Sequence, residues 1–226
     1  MRRTLFLALT LTAAAALPAF AQDTRPGIAV LPFDNGGSYG RDKEDFEALQ
    51  QGLPAMLISE LSKNPGARVV DRSTINRILD EQNLARDGRV DATTAARLGK
   101  LVGARYMIAG GFTDYYGKMR LDVRIIDVET SEIIKAVSAN RDREDLFRMV
   151  EEIATRIMTE TKLPPLEAAA AEPRRIPTDA LTFYSRALLY QDRGDKPKAI
   201  EYYNRALIAF PNYTEAQEGL TRIQSS

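Results

Sequence analysis

The chain has 226 residues, with 31 Lys and Arg residues balanced by 31 Asp and Glu residues, and it contains no Cys and no His. The lack of these two residue types excludes thiol nucleophiles, imidazole bases, disulfides and nearly all zinc sites. Because no block of like charge appears, the composition argues against a nucleic-acid surface. The length allows one domain of ordinary size and a small additional module.

The first 21 residues have the pattern of a secretory signal peptide. Arg2 and Arg3 give a positive start, Leu5–Leu17 is apolar, and Ala19–Ala21 fits a small-x-small cleavage site. An N-terminal membrane anchor is the alternative, but no stop-transfer pattern follows. A lipoprotein would carry a Cys directly after the signal, where this chain has Gln22. We therefore expect an exported mature chain without a lipid anchor.

The first part of the mature chain predicts a strand followed by a helix. Gly27–Phe33 is a continuous apolar run, which is typical of a buried strand. Asp34–Gly40 is rich in turn residues and predicts a loop. Apolar residues then recur at helical spacing over Asp45–Ser62, where Pro54 predicts a kink or a restart of the helix.

Two shorter helices are predicted between buried strands. Arg68–Asp71 predicts a short strand, and Asp71 or Ser73 can cap the helix that follows. Asp91 begins the next helix, and Tyr106–Phe112 is a second buried strand that contains the glycine pair Gly110-Gly111. A glycine pair inside a strand indicates close backbone approach or a bulge.

The next segment predicts antiparallel structure and a closing helix. Asp114–Gly117 is a hairpin turn candidate, and Lys118–Asp127 alternates between apolar and charged residues as a half-exposed strand does. Ile133–Ala139 predicts a further strand. Leu146–Met158 has one apolar face and predicts an amphipathic helix.

The C-terminal part has the spacing of one tetratricopeptide repeat. Residues 164–178 are rich in Pro and Ala and predict a linker. Small and aromatic residues then follow the repeat pattern, and Tyr213–Ile223 would be a capping helix; the pattern consists of Phe183, Ala187, Tyr190, Gly194, Ala199, Tyr203, Ala206 and Pro211. Such stacks usually need about three repeats to stand alone.

Four motifs resemble the CsgG/HfaB-like periplasmic domain, which is also seen in LpoB-like and TolB N-terminal-like proteins. They are Ile28–Phe33 (IAVLPF), Val69–Arg72 (VVDR), Ile78–Gln82 (ILDEQ) and Gly103–Gly111 (GARYMIAGG). The resemblance implies a compact α/β domain with a mixed sheet and packed helices, acting in the bacterial envelope through protein–protein contacts. It supplies no catalytic residues. The membrane-inserting hairpins of the curli secretion channel are absent, so a pore made by this chain alone is not expected.

Together these observations predict four segments: a signal peptide at 1–21, a CsgG-like α/β domain at 22–163, a Pro/Ala linker at 164–178 and a tetratricopeptide-like all-α hairpin with a capping helix at 179–226. We expect a periplasmic, non-enzymatic adaptor, peripheral to the outer membrane, that binds protein partners in the cell envelope or copies of itself. Two alternatives remain open. One is an outer-membrane secretion channel subunit, and the other is a periplasmic domain that binds a small ligand or nucleotide through Asp34–Gly40.

The candidate contact residues are Tyr184, Tyr202, Glu81 and Gln82. Tyr184 and Tyr202 lie outside the core spacing of the repeat, so we expect them on an exposed contact surface. Glu81 and Gln82 follow the second predicted helix; a structural role is the preferred interpretation, and contact with a neighbour is the alternative. We expect no catalytic residue, no cofactor, no metal, no nucleic-acid partner and no membrane span in the mature chain.

Overall fold

A six-stranded mixed sheet organises the first two thirds of the protein, in a computed structural model that describes residues 23–37, 42–83, 90–164 and 174–225. The strands are β1 (Gly27–Val30), β2 (Asp34–Asn35), β3 (Arg68–Val69), β4 (Tyr106–Tyr115), β5 (Lys118–Asp127) and β6 (Ile133–Asp142). The helices are α1 (Lys43–Ser62), α2 (Arg72–Glu81), α3 (Ala92–Leu101), α4 (Leu146–Glu160), α5 (Thr178–Asp192), α6 (Lys196–Ala209) and α7 (Thr214–Ser225). The predicted signal peptide and most of the predicted linker lie outside the described residues.

The sheet has a parallel half and an antiparallel half. Its order is β3-β1-β4-β5-β6, with β2 paired to β4. Strands β3, β1 and β4 run parallel, whereas β4, β5 and β6 form an antiparallel meander. The fold class is therefore α/β with a mixed sheet and packed helices, as the sequence predicts.

Helices cover both faces of the parallel half. Ile28 and Val30 of β1 point into a core shared with α1 and α4, while Ala29 and Leu31 point into a second core beneath α2 and α3. Since both faces are buried, β1 has a continuous apolar sequence rather than an alternating one.

The antiparallel half is covered on one face. Met119, Leu121 and Val123 are buried, and the intervening Lys118 and Arg120 are exposed. The alternation predicted for this strand is confirmed. The charged face belongs to a sheet surface that carries no apolar core of its own.

A proline in α1 connects that helix to the sheet. Pro54 lacks an N–H group, so the carbonyl of Gln50 loses its usual helical donor. The N–H of Phe33, just beyond β1, donates to that carbonyl at 3.0 Å. The helix runs as one element from Lys43 to Ser62 with Pro54 inside it.

Local sequence signals set the helix starts and the β4–β5 turn. Asp71 accepts a hydrogen bond from the Ser73 N–H, and Asp91 accepts one from the Thr94 N–H, each at 2.8 Å. Tyr116 and Gly117 have φ angles of 51° and 83°, as a two-residue type I′ hairpin turn requires. The predicted caps and the predicted turn are confirmed.

The C-terminal helices pack on α1 and share its core. Ala187, Ala199 and Ala206 are fully buried and allow close approach within the α5–α7 bundle. Helix α5 packs along both α6 and α1, and residues of all three helices belong to the same buried cluster as the sheet. Thus α1 takes the place that a neighbouring repeat would occupy. The tetratricopeptide assignment and the domain boundaries stay predictions.

Candidate functional site

A glycine–serine contact brings α5 against α1. A Cβ atom added to Gly52 would lie 1.8 Å from the Oγ of Ser185, far inside van der Waals contact. Ser185 is fully buried, and its hydroxyl donates to the Leu181 carbonyl at 2.8 Å. Gly in a helix interior costs about 1 kcal/mol relative to Ala. Gly52 is therefore explained by the close approach of the two helices.

Complementary charges surround this contact at the α1 N-terminus. Arg186 of α5 donates to Asp45 at 2.5 Å, and its guanidinium lies 3.4 Å from Glu44. Arg193 pairs with Glu47 in the same row. These acidic residues of α1 thus face basic residues of the C-terminal helices.

Arg174 ties three parts of the chain together at the other end of α1. Its guanidinium binds Glu215 of α7 at 2.8 Å and Glu60 of α1 at 2.9 Å, and it lies over the ring of Phe147 in α4. Ser59 also donates to Glu215, at 2.5 Å. Partial burial of Glu215 opposes its ionisation, but the hydrogen bonds from Arg174 and Ser59 outweigh burial and lower its pKa.

A further ion pair connects α2 to α5. Arg72 and Asp192 lie 2.6 Å apart, and both side chains are largely buried. Burial opposes the charge on Arg72, but Asp192 more than compensates, so the pKa of Arg72 rises. Asn76 also donates to Asp192, at 3.3 Å. The C-terminal helices are therefore fixed to both α1 and α2.

These contacts frame a cavity of about 540 Å³, which we call the helical groove. Apolar and tyrosine side chains form its floor, and hydroxyl, amide and charged groups form its rim. The floor consists of Ala55, Ile58, Tyr184, Leu188, Tyr203 and Gly219, and the rim of Ser59, Ser62, Asp71, Arg72, Ser73, Gln191, Glu215, Glu218 and Arg222. This volume lies within the range of protein binding sites.

The groove tyrosines are neutral hydroxyl groups at physiological pH. Burial raises the pKa of Tyr203 to about 12, and burial likewise raises the pKa of Tyr184. The Tyr203 hydroxyl donates to Gln191 Oε1 at 2.7 Å. A Cβ on Gly219 would lie 2.5 Å from the Tyr203 ring, so this glycine leaves room for the ring.

The expectation that Tyr184 and Tyr202 are exposed is wrong. Tyr184 is 7% exposed because its ring packs against Tyr203 and Tyr213 on the side that faces α1. Tyr202 is 9% exposed, since it stacks on Tyr190 and lies beneath Arg186 and Arg205. The repeat spacing carries no information about α1 or about these arginines. A role for either tyrosine in contacts with a partner stays a prediction.

Glu81 and Gln82 are exposed at the end of α2, outside the helical groove. Glu81 accepts a hydrogen bond from Arg77 one turn earlier, at 2.8 Å. Gln82 is the C-cap residue, and its N–H donates to the Ile78 carbonyl at 3.0 Å. Their part in contact with a neighbour stays a prediction.

The predicted Asp34–Gly40 loop begins as a strand. Asp34 and Asn35 form β2, which pairs with β4, and the Gly36 N–H donates to the Phe112 carbonyl at 2.7 Å. This corrects the start of the predicted loop, and residues 38–40 lie outside the described part. A Cβ on Gly111 would lie 2.9 Å from the Asp34 carbonyl oxygen. Gly111 therefore permits the close backbone approach predicted for the glycine pair, and ligand binding here stays a prediction.

The groove offers binding chemistry, because its floor is apolar and its rim carries hydrogen-bonding groups. Fold and groove together define an α/β module with a docked helical extension. The sequence model described as "Curli production assembly/transport component CsgG" matches residues 10–120. The chain therefore carries a domain of the CsgG family.

Comparison with a curated protein gives a weaker match. A "Putative adenylate cyclase 3" of Rhizobium meliloti (strain 1021) is 27% identical over 134 residues. The match covers 59% of this chain and 20% of the relative. The chain thus spans about a fifth of the length of that protein.

Solved structures with related topology have low identity. The LpoB C-terminal domain from Salmonella enterica is 16% identical with a TM-score of 0.40, over 55% of this chain and 87% of that chain. TolB from Acinetobacter baumannii is 14% identical with a TM-score of 0.43, over 62% and 29%. The PelC dodecamer from Paraburkholderia phytofirmans is 13% identical with a TM-score of 0.39, over 60% and 87%.

Among the four described ranges, no helix has the length and apolar character needed to cross a bilayer.

Proposed function

We propose that this protein is an exported, periplasmic component of the cell envelope, peripheral to the outer membrane, that works without catalysis as a protein–protein adaptor. In this proposal residues 1–21 are the signal peptide, 22–163 the CsgG-like domain, 164–178 the linker and 179–226 a tetratricopeptide-like module. Its partners are proteins of a secretion or envelope-assembly complex. The family match supports the envelope setting.

The observation that carries the proposal is the helical groove. The sheet part supplies Ala55, Ile58 and Asp71, and the C-terminal helices supply Tyr184 and Tyr203. Gly52 and the paired charges fix these two walls relative to one another. Such a preformed surface favours binding because little has to be ordered when a partner docks.

Site-specific photocrosslinking in intact cells tests the proposal. A photoreactive residue at Ser62, on the groove rim, should give a discrete crosslink to an envelope protein or to a copy of the chain. The same residue at Asn204, which is exposed on α6 outside the groove lining, is the matched control. Cell fractionation should recover the protein with the periplasm. Recovery in the cytoplasm, or equal crosslinking from both positions, would contradict the proposal.

An outer-membrane secretion subunit is the second candidate. The words "assembly/transport component" in the family description support it. In that case, extraction from the outer membrane should require detergent, whereas the adaptor should be released with the periplasm by osmotic shock.

A further inference from the structure

The turn between β4 and β5 presents two aromatic rings to solvent. Tyr115 is 72% exposed and Tyr116 is 91% exposed, and their rings contact each other edge-to-face at 4.8 Å. We call this pair the tyrosine tip. Tyr116 has a φ of 51°, in a turn position that favours Asn, Asp or Gly. An exposed aromatic side chain in a disfavoured conformation points to a role outside the chain itself.

The tyrosine tip and the helical groove lie at opposite ends of α1. Arg143 bonds both Asp42, just before α1, and Asp114 of β4, so the tip is held near the helix start. The groove begins at Ala55. With a rise of 1.5 Å per residue, Ala55 lies about 20 Å along the helix axis from Asp42. The tip of one molecule therefore does not reach its own groove.

The two surfaces match in chemistry. A tyrosine side chain needs an apolar slot for its ring and a hydrogen-bonding group for its hydroxyl. The groove supplies an apolar floor at Ile58 and Leu188 and a polar rim at Ser59, Ser62 and Gln191. Charges near both surfaces are internally paired, as in Lys118 with Asp142 beside the tip and Arg72 with Asp192 beside the groove.

We propose that the tyrosine tip of one molecule inserts into the helical groove of a second copy. This inference deepens the proposed function and rests on it, because it names the occupant of the same groove. Donor and acceptor surfaces differ, so the contact is heterologous and repeats from copy to copy, either closing into a ring or continuing as a filament.

The size of the contact sets its expected strength. Two tyrosines bury roughly 300–500 Å² in total, whereas a specific stable interface buries at least about 1,000 Å². A single tip-in-groove contact is therefore weak, and association should appear progressively as protein concentration rises from micromolar towards millimolar. Closure into a ring would stabilise it through multiple simultaneous contacts.

Sedimentation velocity on the purified chain tests the inference. The tip variant Tyr115→Ser/Tyr116→Asn should remain monomeric, and its turn should fold at least as well because Asn accepts a positive φ. The groove variant Ile58→Glu should also remain monomeric. An equimolar mixture of the two should form dimers and nothing larger, because one intact tip and one intact groove remain in each pair. Continued self-association of the tip variant, a monomeric mixture, or a wild-type chain that stays monomeric would overturn the inference.

Disulfide trapping locates the contact, since the natural chain contains no Cys. A mixture of Tyr116→Cys and Ser62→Cys chains should give mainly the mixed disulfide under mild oxidation. Disulfides formed only between two Tyr116→Cys chains would indicate a symmetric tip-to-tip contact and would overturn the inference. A monomeric chain that still crosslinks to a different envelope protein leaves the proposed function standing. An oligomer recovered from the cytoplasm would contradict the proposed function alone.

Discussion

The sheet part and the C-terminal helices differ in where their cores come from. Strands β1 and β4 are buried between α1 and α4 on one face and α2 and α3 on the other, so the sheet part completes its own core. The C-terminal helices bury part of their apolar surface, including Tyr184, against α1. A single helical hairpin can therefore be stable when another domain supplies the neighbouring helix.

The kinds of contact also differ. Within the sheet part, residues pack by regular alternation along paired strands. Between α1 and α5, one very close contact at Gly52 is surrounded by ion pairs such as Arg186 with Asp45 and Arg174 with Glu60. The ion pairs restrict orientation, while the buried contact sets the distance between the helices.

Replacing Gly52 by Leu should separate the two regions most strongly. The added side chain would overlap Ser185, so we expect a loss of about 3 kcal/mol or more and weak amide-exchange protection in α5–α7. Protection in β4–β6 should persist. Ser62→Leu, at an exposed position in the last turn of the same helix, is the control. Unchanged protection in α5–α7 would show that the close contact is dispensable.

Replacing Arg174 by Met should have the next largest effect. Glu60 and Glu215 would both lose a hydrogen-bonded cation, and Glu60 is almost fully buried. We expect a loss of about 2 kcal/mol in chemical denaturation, below the value for a fully buried pair because Arg174 is partly exposed. In combination with Glu215→Gln the losses should be less than additive. Strict additivity would argue that the two side chains do not interact.

Acid should weaken the attachment of α7. Glu215 has a folded-state pKa below its usual value near 4.5. Its ion pair therefore contributes fully above that pH and is lost as the pH falls through the lower folded-state pKa. Glu215→Gln should show a flatter dependence of stability on pH below 4.5 than the wild type. The measurement is denaturant unfolding across this range, and identical slopes for both proteins would refute the assignment.

Replacing Arg77 by Ala should have the smallest effect. Its ion pair with Glu81 is exposed at both ends, so we expect no more than about 0.5 kcal/mol. Crosslinking to envelope partners through Glu81 should be compared in the same variant. A stability change within error combined with altered crosslinking would assign Glu81 to a contact surface, whereas no change in either would leave it a solvated pair.

Local signals in the sequence predicted much of the sheet part. The alternation in β5, the caps Asp71 and Asp91, and the glycine turn at Gly117 each depend on neighbouring residues. Such features are set by backbone conformation and by one or two hydrogen bonds, so they can be read without knowing the fold.

The groove could not be predicted in the same way. Gly52 and Ser185 are more than 130 residues apart, and neither lies in a motif that announces the contact. Burial of Tyr184 depends on α1 occupying the open side of the hairpin. The one available signal was a glycine in the middle of a predicted helix, which indicates close packing when no turn is needed.

The sequence by itself determined the mixed α/β pattern, the helical hairpin and the exclusion of thiol and imidazole chemistry, because these follow from periodicity, turn residues and composition. Tertiary structure alone decided that α5 lies on α1 and that a groove forms between them. It also decided that Tyr184 and Tyr202 are buried while Tyr115 and Tyr116 are exposed. The physical reason is that burial depends on which distant surfaces meet, and the repeat pattern specifies packing only within the repeat.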